Sequence, residues 1–212
     1  MMAFRNPVLA GPLGADVPCP AIPGYRHRPV PGRFPAKWRD MLARHIDQEK
    51  NFAPQASRVP DAWADICRGL ARFGGSPDVL WEIKKRQASL KWTPDSQNYD
   101  IEDHWATPRE FLARGGDCED FALLSYFMLR AAGFSARRLA VVVGFDQISQ
   151  KGHVITACDI DRKIYILDNL ARIPLMGWPV WRFRRAYAVN EKVWTLLVPD
   201  SRPKGPDAIN PV

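Results

Sequence analysis

Three short stretches of this chain carry residue types that can do covalent chemistry together. The first is Gly115-Gly116-Asp117-Cys118-Glu119-Asp120, followed by the apolar run Phe121 to Ala132. It sets one cysteine after a glycine turn, at the mouth of a helix, between carboxylates. A helix N-terminus carries about half a positive charge and unpaired N–H groups. Both favour a thiolate, which is the nucleophilic form of cysteine. The second and third stretches are Gly152-His153-Val154 and Leu167-Asp168-Asn169. They supply a base and a carboxylate, the two partners that a nucleophilic cysteine requires.

The chain has four histidines. His27 falls in a proline-rich arm, His45 beside the apolar stripe of an early helix, and His104 in a loop. His153 opens a strand. Asp161-Arg162 reads as the two-residue loop of a hairpin, so Ile155 faces Asp168 and His153 lies two residues along on the same face. A carboxylate diagonal to an imidazole can hold one ring nitrogen and leave the other for a thiol. Each piece has a plainer reading. A cysteine at a helix start is usually structural, an Asp at a strand end usually caps a turn, and a strand histidine is usually satisfied by its neighbours. The order helix–Cys, strand–His, strand–Asp is more specific than any one of them.

The elements that must position these residues follow from periodicity. Residues 1–35 hold eight of the nineteen prolines. They are expected to be an extended, partly disordered arm, pinned at its end by Tyr25 and Phe34. Helices are expected over Ala36–Asn51, from Pro60-Asp61 to Phe73, and from Asp78 to about Lys91. Lys84-Lys85-Arg86 reads as the solvated side of the third. Trp92 to Asp103 reads as a loop. Thr107-Pro108-Arg109-Glu110 has the form of a capping box that starts a short helix ending at Gly115-Gly116. The run after Cys118 is apolar nearly all round, as a buried central helix is.

Beyond Gly133 the period changes. Strands are expected over Arg138–Phe145, His153–Ile160, Lys163–Asp168, Val180–Tyr187 and Lys192–Val198, with Asn190-Glu191 in a turn. Helices first and strands second predict an α+β fold, helices packed on one side of an antiparallel sheet. The predicted organisation is an arm over 1–35, a single domain over 36–198 and a loose tail over 199–212.

Net charge is +7, but the basic residues are scattered, with clusters only at Lys84–Arg86, Arg137-Arg138 and Arg182–Arg185. Nucleic-acid binders concentrate charge in a denser stripe, so no nucleic-acid partner is expected. Cys19, Cys67, Cys118 and Cys158 form no Cys-x-x-Cys pair and no zinc spacing. Cys67 and Cys158 read as buried small apolar residues, and Cys19 as exposed. No window reaches the length of a membrane span, and the start shows no signal peptide.

The block Asp103-His104-Trp105-Ala106-Thr107-Pro108-Arg109-Glu110-Phe111-Leu112, then Gly115 to Ala122, resembles the bacterial transglutaminase-like cysteine peptidase family. Gly152-His153-Val154 and Leu167-Asp168-Asn169-Leu170 are similar to its later motifs. The resemblance spans roughly residues 78 to 198. It implies a papain-like transglutaminase core and a thiol peptidase with Cys118 as nucleophile, His153 as base and then acid, and Asp168 as orienting carboxylate. Known members are periplasmic proteases that release surface adhesins and so regulate biofilm. A protein or peptide substrate, a periplasmic setting and a regulatory protein partner are therefore implied. No cofactor is needed for the chemistry. The resemblance also implies calcium, held by Asp117 and Glu119 with Asp120 as a further candidate, since carboxylate oxygens suit that ion. Helix capping and dipole compensation explain the same carboxylates equally well. Two other readings stay open: transfer of the acyl group to an amine, and a non-catalytic domain of the same fold that binds protein. For the oxyanion hole, the backbone N–H of Cys118 is one donor. Gln87, Gln97, Asn98 and an indole N–H are candidates for the second.

Overall fold

Helix α6, Cys118–Ala131, lies at the centre of the molecule. Phe121 to Leu129 are all at most 6% exposed, as expected of a helix that is apolar on every side. The computed structural model describes residues 19–51, 61–177 and 183–199. Around α6 stand α1 (Ala36–Asn51), α2 (Ala62–Ala71), α3 (Val79–Gln87), the single-turn α4 (Asp95–Asn98) and α5 (Pro108–Arg114). The expected capping box starts α5: Thr107 accepts from the Glu110 N–H, and the Glu110 carboxylate accepts from the Thr107 N–H.

Seven strands follow or flank these helices: β1 (Tyr25–Pro29), β2 (Leu139–Asp146), β3 (Lys151–Ile160), β4 (Lys163–Leu167), β5 (Leu175–Met176), β6 (Phe183–Val189) and β7 (Trp194–Pro199). They form one sheet in the order β1-β7-β6-β2-β3-β4-β5, with every neighbouring pair antiparallel. The fold is α+β, as the order of periodicities predicts. The β3–β4 hairpin turns at Asp161 and Arg162, whose φ values are 51° and 63°. Two successive positive φ angles match the twist of a tight hairpin. They set the register Ile160↔Lys163 through Thr156↔Leu167.

Both faces of the sheet are covered, which explains why β2 reads as a continuous apolar run. Leu139, Val141, Val154, Cys158 and Leu167 join the core shared with the helices. Ala140, Val142, Ile155, Ala157, Ile166 and Ala188 form a second core on the reverse face.

The second core corrects the reading of the arm. Residues from 19 onward supply Ile22 and Tyr25 to it, both buried, and β1 pairs with β7 at the sheet edge. Proline is tolerated there because an edge strand needs fewer N–H donors. The Tyr25 hydroxyl donates to the Phe183 carbonyl at 2.9 Å. Cys19 packs against this core instead of lying exposed, and burial pushes its thiol up to about 12. Cys67 is half-buried, against the expected burial, and Cys158 is fully buried. The rest of the arm (1–18), the tail from 200 and the expected strand start at 180–182 lie outside the described residues. Among the described residues, no helix is long and apolar enough to cross a membrane.

Candidate active site

Two glycines set the start of α6. Gly115 has φ +79°, and a Cβ there would lie 2.5 Å from the Lys91 carbonyl oxygen. A Cβ on Gly116 would overlap the Asp120 carboxylate. Both close approaches belong to one construction. The segment 91–93 pairs with 115–116 through Gly116 N–H to Lys91 O at 3.3 Å and Thr93 N–H to Gly116 O at 2.9 Å. Asp120, fully buried, accepts from the Asp117 N–H at 3.3 Å and the Ala106 N–H at 2.7 Å. One side chain thereby ties the Trp105-Ala106-Thr107 lead-in to the first turn of α6.

Cys118 begins that turn, half-buried. Its thiol donates to Glu119 Oε2 at 3.1 Å, and the nearby Val154 backbone N–H favours the thiolate, the smallest of the influences on the sulfur. Strand β3 pairs with β4 only from Thr156 onward, so Val154 lies beyond that ladder. The next residue back is His153, 5% exposed. His153 Nε2 lies 2.9 Å from Asp168 Oδ1. Its ring stacks on Phe183 with centroids 6.1 Å apart and planes at 19°. Asp168, 4% exposed, is steadied by the Leu170 N–H at 2.9 Å on the same oxygen. The structure thus joins His153 to Asp168 by a direct hydrogen bond and places the Cys118 sulfur against the residue following His153.

The electrostatics around the sulfur differ from the expectation. Burial, then the Glu119 charge and hydrogen bond, then the Asp117 charge, raise the thiol well above its ordinary value. Desolvation and two adjacent carboxylates outweigh the helix N-terminus. The carboxylates feel the same crowding. Burial, then a hydrogen bond to Asp117, pushes Glu119 up to about 9. Burial pushes Asp120 up to about 8.

Asp95, 1% exposed, is a member of this acidic group that the loop reading of 92–103 overlooked. The pair Pro94-Asp95 is itself a helix-start signal. Ligand oxygens of Asp95, Asp117 and Asp120 lie within 4.8 Å of one another, as do those of Asp95, Asp103 and Glu119. Asp95 Oδ1 and Asp117 Oδ1 are buried without a hydrogen-bond partner.

Lys84 is the second omission. It is 7% exposed, not solvated. Its ammonium donates to the Asp168 carbonyl at 2.8 Å and to Gln87 Oε1 at 3.3 Å. Leu80, Ile83, Lys84 and Gln87 follow the i, i+3, i+4, i+7 spacing of a buried stripe, and that spacing outranks the charge run. The Gln87 amide donates to the Phe121 carbonyl and the Ser125 hydroxyl. That engages the nitrogen considered for an oxyanion hole. The Asn98 amide donates to the Gly115 carbonyl, and Gln97 is exposed.

Among solved structures, calcium-bound LapG of Legionella pneumophila is similar with a TM-score of 0.54 and 22% identity, over 71% of this chain and 87% of that one. A second LapG structure from the same organism gives a TM-score of 0.51 and 24% identity, over 66% and 79%. These likenesses concern the fold. Among curated proteins, none matches. Residues 79–199 match the model of the bacterial transglutaminase-like cysteine proteinases. That span is more than half of the chain, so the protein belongs to this family and is a cysteine peptidase.

Proposed function

We propose that this peptidase cleaves a protein or peptide substrate through an acyl-thioester on Cys118, with His153 as general base and then acid and Asp168 as the carboxylate that orients it. The hydrogen bond from His153 Nε2 to Asp168 Oδ1 carries the reading. It occupies one ring nitrogen and leaves Nδ1 for the thiol proton. That proton passes to Nδ1 as sulfur attacks the scissile carbonyl carbon. The protonated ring then gives it to the leaving amine as the C–N bond breaks. Water, losing a proton to the same ring, cleaves the thioester and restores the thiol. The Cys118 backbone N–H, at the start of α6, would be one donor to the oxyanion. Cell-surface adhesins met in the periplasm are the substrates that the family resemblance implies.

Calcium fits the acidic group beside the thiol. Asp117 and Glu119 would hold it, and the unpartnered oxygens of Asp95 and Asp117 are what an oxygen-seeking cation would satisfy. Asp120 is better suited to structure, because both its oxygens accept backbone N–H groups. When bound, the ion supplies positive charge that offsets the carboxylates now opposing a thiolate.

The test is alkylation by iodoacetamide at mildly acidic pH, with and without calcium, followed by site-resolved mass spectrometry. Cys118 should react first among the four cysteines, and His153→Ala should slow it. Equal labelling of Cys19 and Cys118, unaffected by His153→Ala, would overturn the triad.

A further inference from the structure

We infer that Lys84 is a positioning residue for the Asp168–His153 pair, acting through the Asp168 main chain; the inference rests on the triad reading above. A lysine is seldom buried without a purpose, since desolvation of its ammonium is costly unless partners repay it. Here the partners are specific. Nζ donates to the carbonyl of Asp168 itself and to Gln87 Oε1, one turn further along α3. Gln87 then donates to the Phe121 carbonyl at 3.0 Å and the Ser125 hydroxyl at 2.7 Å, both on α6. Lys84 and Gln87 therefore form a polar bracket within the otherwise apolar face of α3. One end grips the helix that starts with Cys118. The other grips the end of β4, where Asp168 sits.

Asp168 needs such a grip. It follows the last residue of β4, one position past the Thr156↔Leu167 pair that ends the β3–β4 register. The Asp168 carbonyl is held by the Ala171 N–H at 3.1 Å and by Lys84 at 2.8 Å. The Ala171 bond is local to the turn and moves with it. The Lys84 bond, 84 residues distant in sequence, ties the turn to α3 and, through Gln87, to α6. Burial lowers the lysine from its ordinary value, and the Asp168 charge works in the other direction. A displacement of about 1 Å in a group that orients a catalytic base can cost on the order of a hundredfold in rate, so a bracket of this kind has a measurable effect.

The experiment is a double-mutant cycle read by the rate of Cys118 alkylation, using the full chain in wild type, Lys84→Met, His153→Ala and the double variant. Methionine keeps volume and apolar packing and removes the donor. Lys84→Met should slow labelling about tenfold in the wild-type background and change it by less than about twofold in the His153→Ala background, because a residue acting through His153 has nothing left to act on. Loosening of the fold alone would alter both backgrounds by the same factor, and that result overturns the inference. Wild-type labelling in Lys84→Met overturns it too. Where His153→Ala itself labels as fast as wild type, the triad reading falls first and the positioning role falls with it, an outcome distinct from additivity. Should Lys84→Met not fold, Lys84→Gln enters the same cycle. Its shorter amide stays polar but does not span to Asp168, and the same two patterns decide.

Discussion

The two halves of the candidate site are built on opposite physical terms. The strand-borne half, His153 and Asp168, is closed: the ring bonds to the carboxylate and stacks on Phe183, and the Asp168 backbone is anchored by Lys84. The helix-borne half is open and charge-dense. Cys118 sits between Asp117 and Glu119, each of which also approaches Asp95, with buried carboxylate oxygens lacking partners and a thiol held above its usual range. One half is preorganised by the fold, and the other still has charge to be compensated. Disturbing the first should alter chemistry directly, while the second should respond to ions.

The largest effect is expected from Asp168→Ala. It removes the acceptor of the His153 bond and the Leu170 turn contact together. Turnover of a peptide substrate should fall by a factor of roughly a thousand or more, with KM changed little, since a base-orienting group acts mainly in the transition state. Steady-state kinetics on a purified, folded variant would check this. A loss below tenfold would mean that His153 is oriented by something other than this carboxylate.

Second is the cation. Calcium at about a hundredfold its dissociation constant should stabilise the fold by about 2.7 kcal/mol, and EDTA should reverse it. Asp95→Asn should weaken that calcium response while leaving the His153–Asp168 bond intact. Thermal melts of wild type and variant, each with calcium and with EDTA, separate the two halves. A calcium response that Asp95→Asn leaves unchanged would confine the ion to Asp117 and Glu119 or place it elsewhere.

The strand half was legible in the sequence and the helix half only partly so. The same-face relation of His153 and Asp168 follows from the Asp161-Arg162 loop, because a two-residue hairpin leaves one register. Cys118 was legible because glycines, an N-cap and an apolar run coincide. Lys84 was hidden inside a run of three basic residues, although its spacing from Leu80 and Ile83 already placed it on the buried face. Asp95 was hidden in a polar stretch whose approach to the Gly115-Gly116 turn depends on a two-residue bridge of long range. The thiol environment was misjudged for a different reason. A helix dipole and the flanking charges of Asp117 and Glu119 are local properties, whereas the burial that contributes most to raising the thiol exists only after folding.

His45 offers a smaller effect, away from both halves. It is buried between Trp63 and Phe127, the latter on α6, and burial pulls its imidazole down to about 4. The unfolded chain therefore takes up a proton between about pH 6.5 and 4 that the folded chain refuses. Stability from this residue is complete above pH 6.5 and is lost as the pH falls toward 4. His45→Phe should flatten the fall in urea-unfolding free energy across that window by roughly 1–3 kcal/mol, as the size of the shift implies. An unchanged acid limb in the variant would show that His45 titrates as it does in the unfolded chain.

The smallest expected effect tests whether the lead-in to Cys118 is scaffold alone. The Thr107 hydroxyl receives the Glu110 N–H at the start of α5 and donates to Gln48 Oε1 on α1 at 2.7 Å. Thr107→Ala removes an N-cap and should cost about 1 kcal/mol in urea unfolding. The first turn of α6 is held separately, by Asp120 on Ala106 and Asp117 and by the Lys91–Thr93 bridge. Cys118 alkylation should therefore keep its wild-type rate in the folded variant. If labelling slows together with stability, the capping box must transmit to the thiol through Ala106, and the helix-borne half includes Thr107 and Glu110 as well as Ala106.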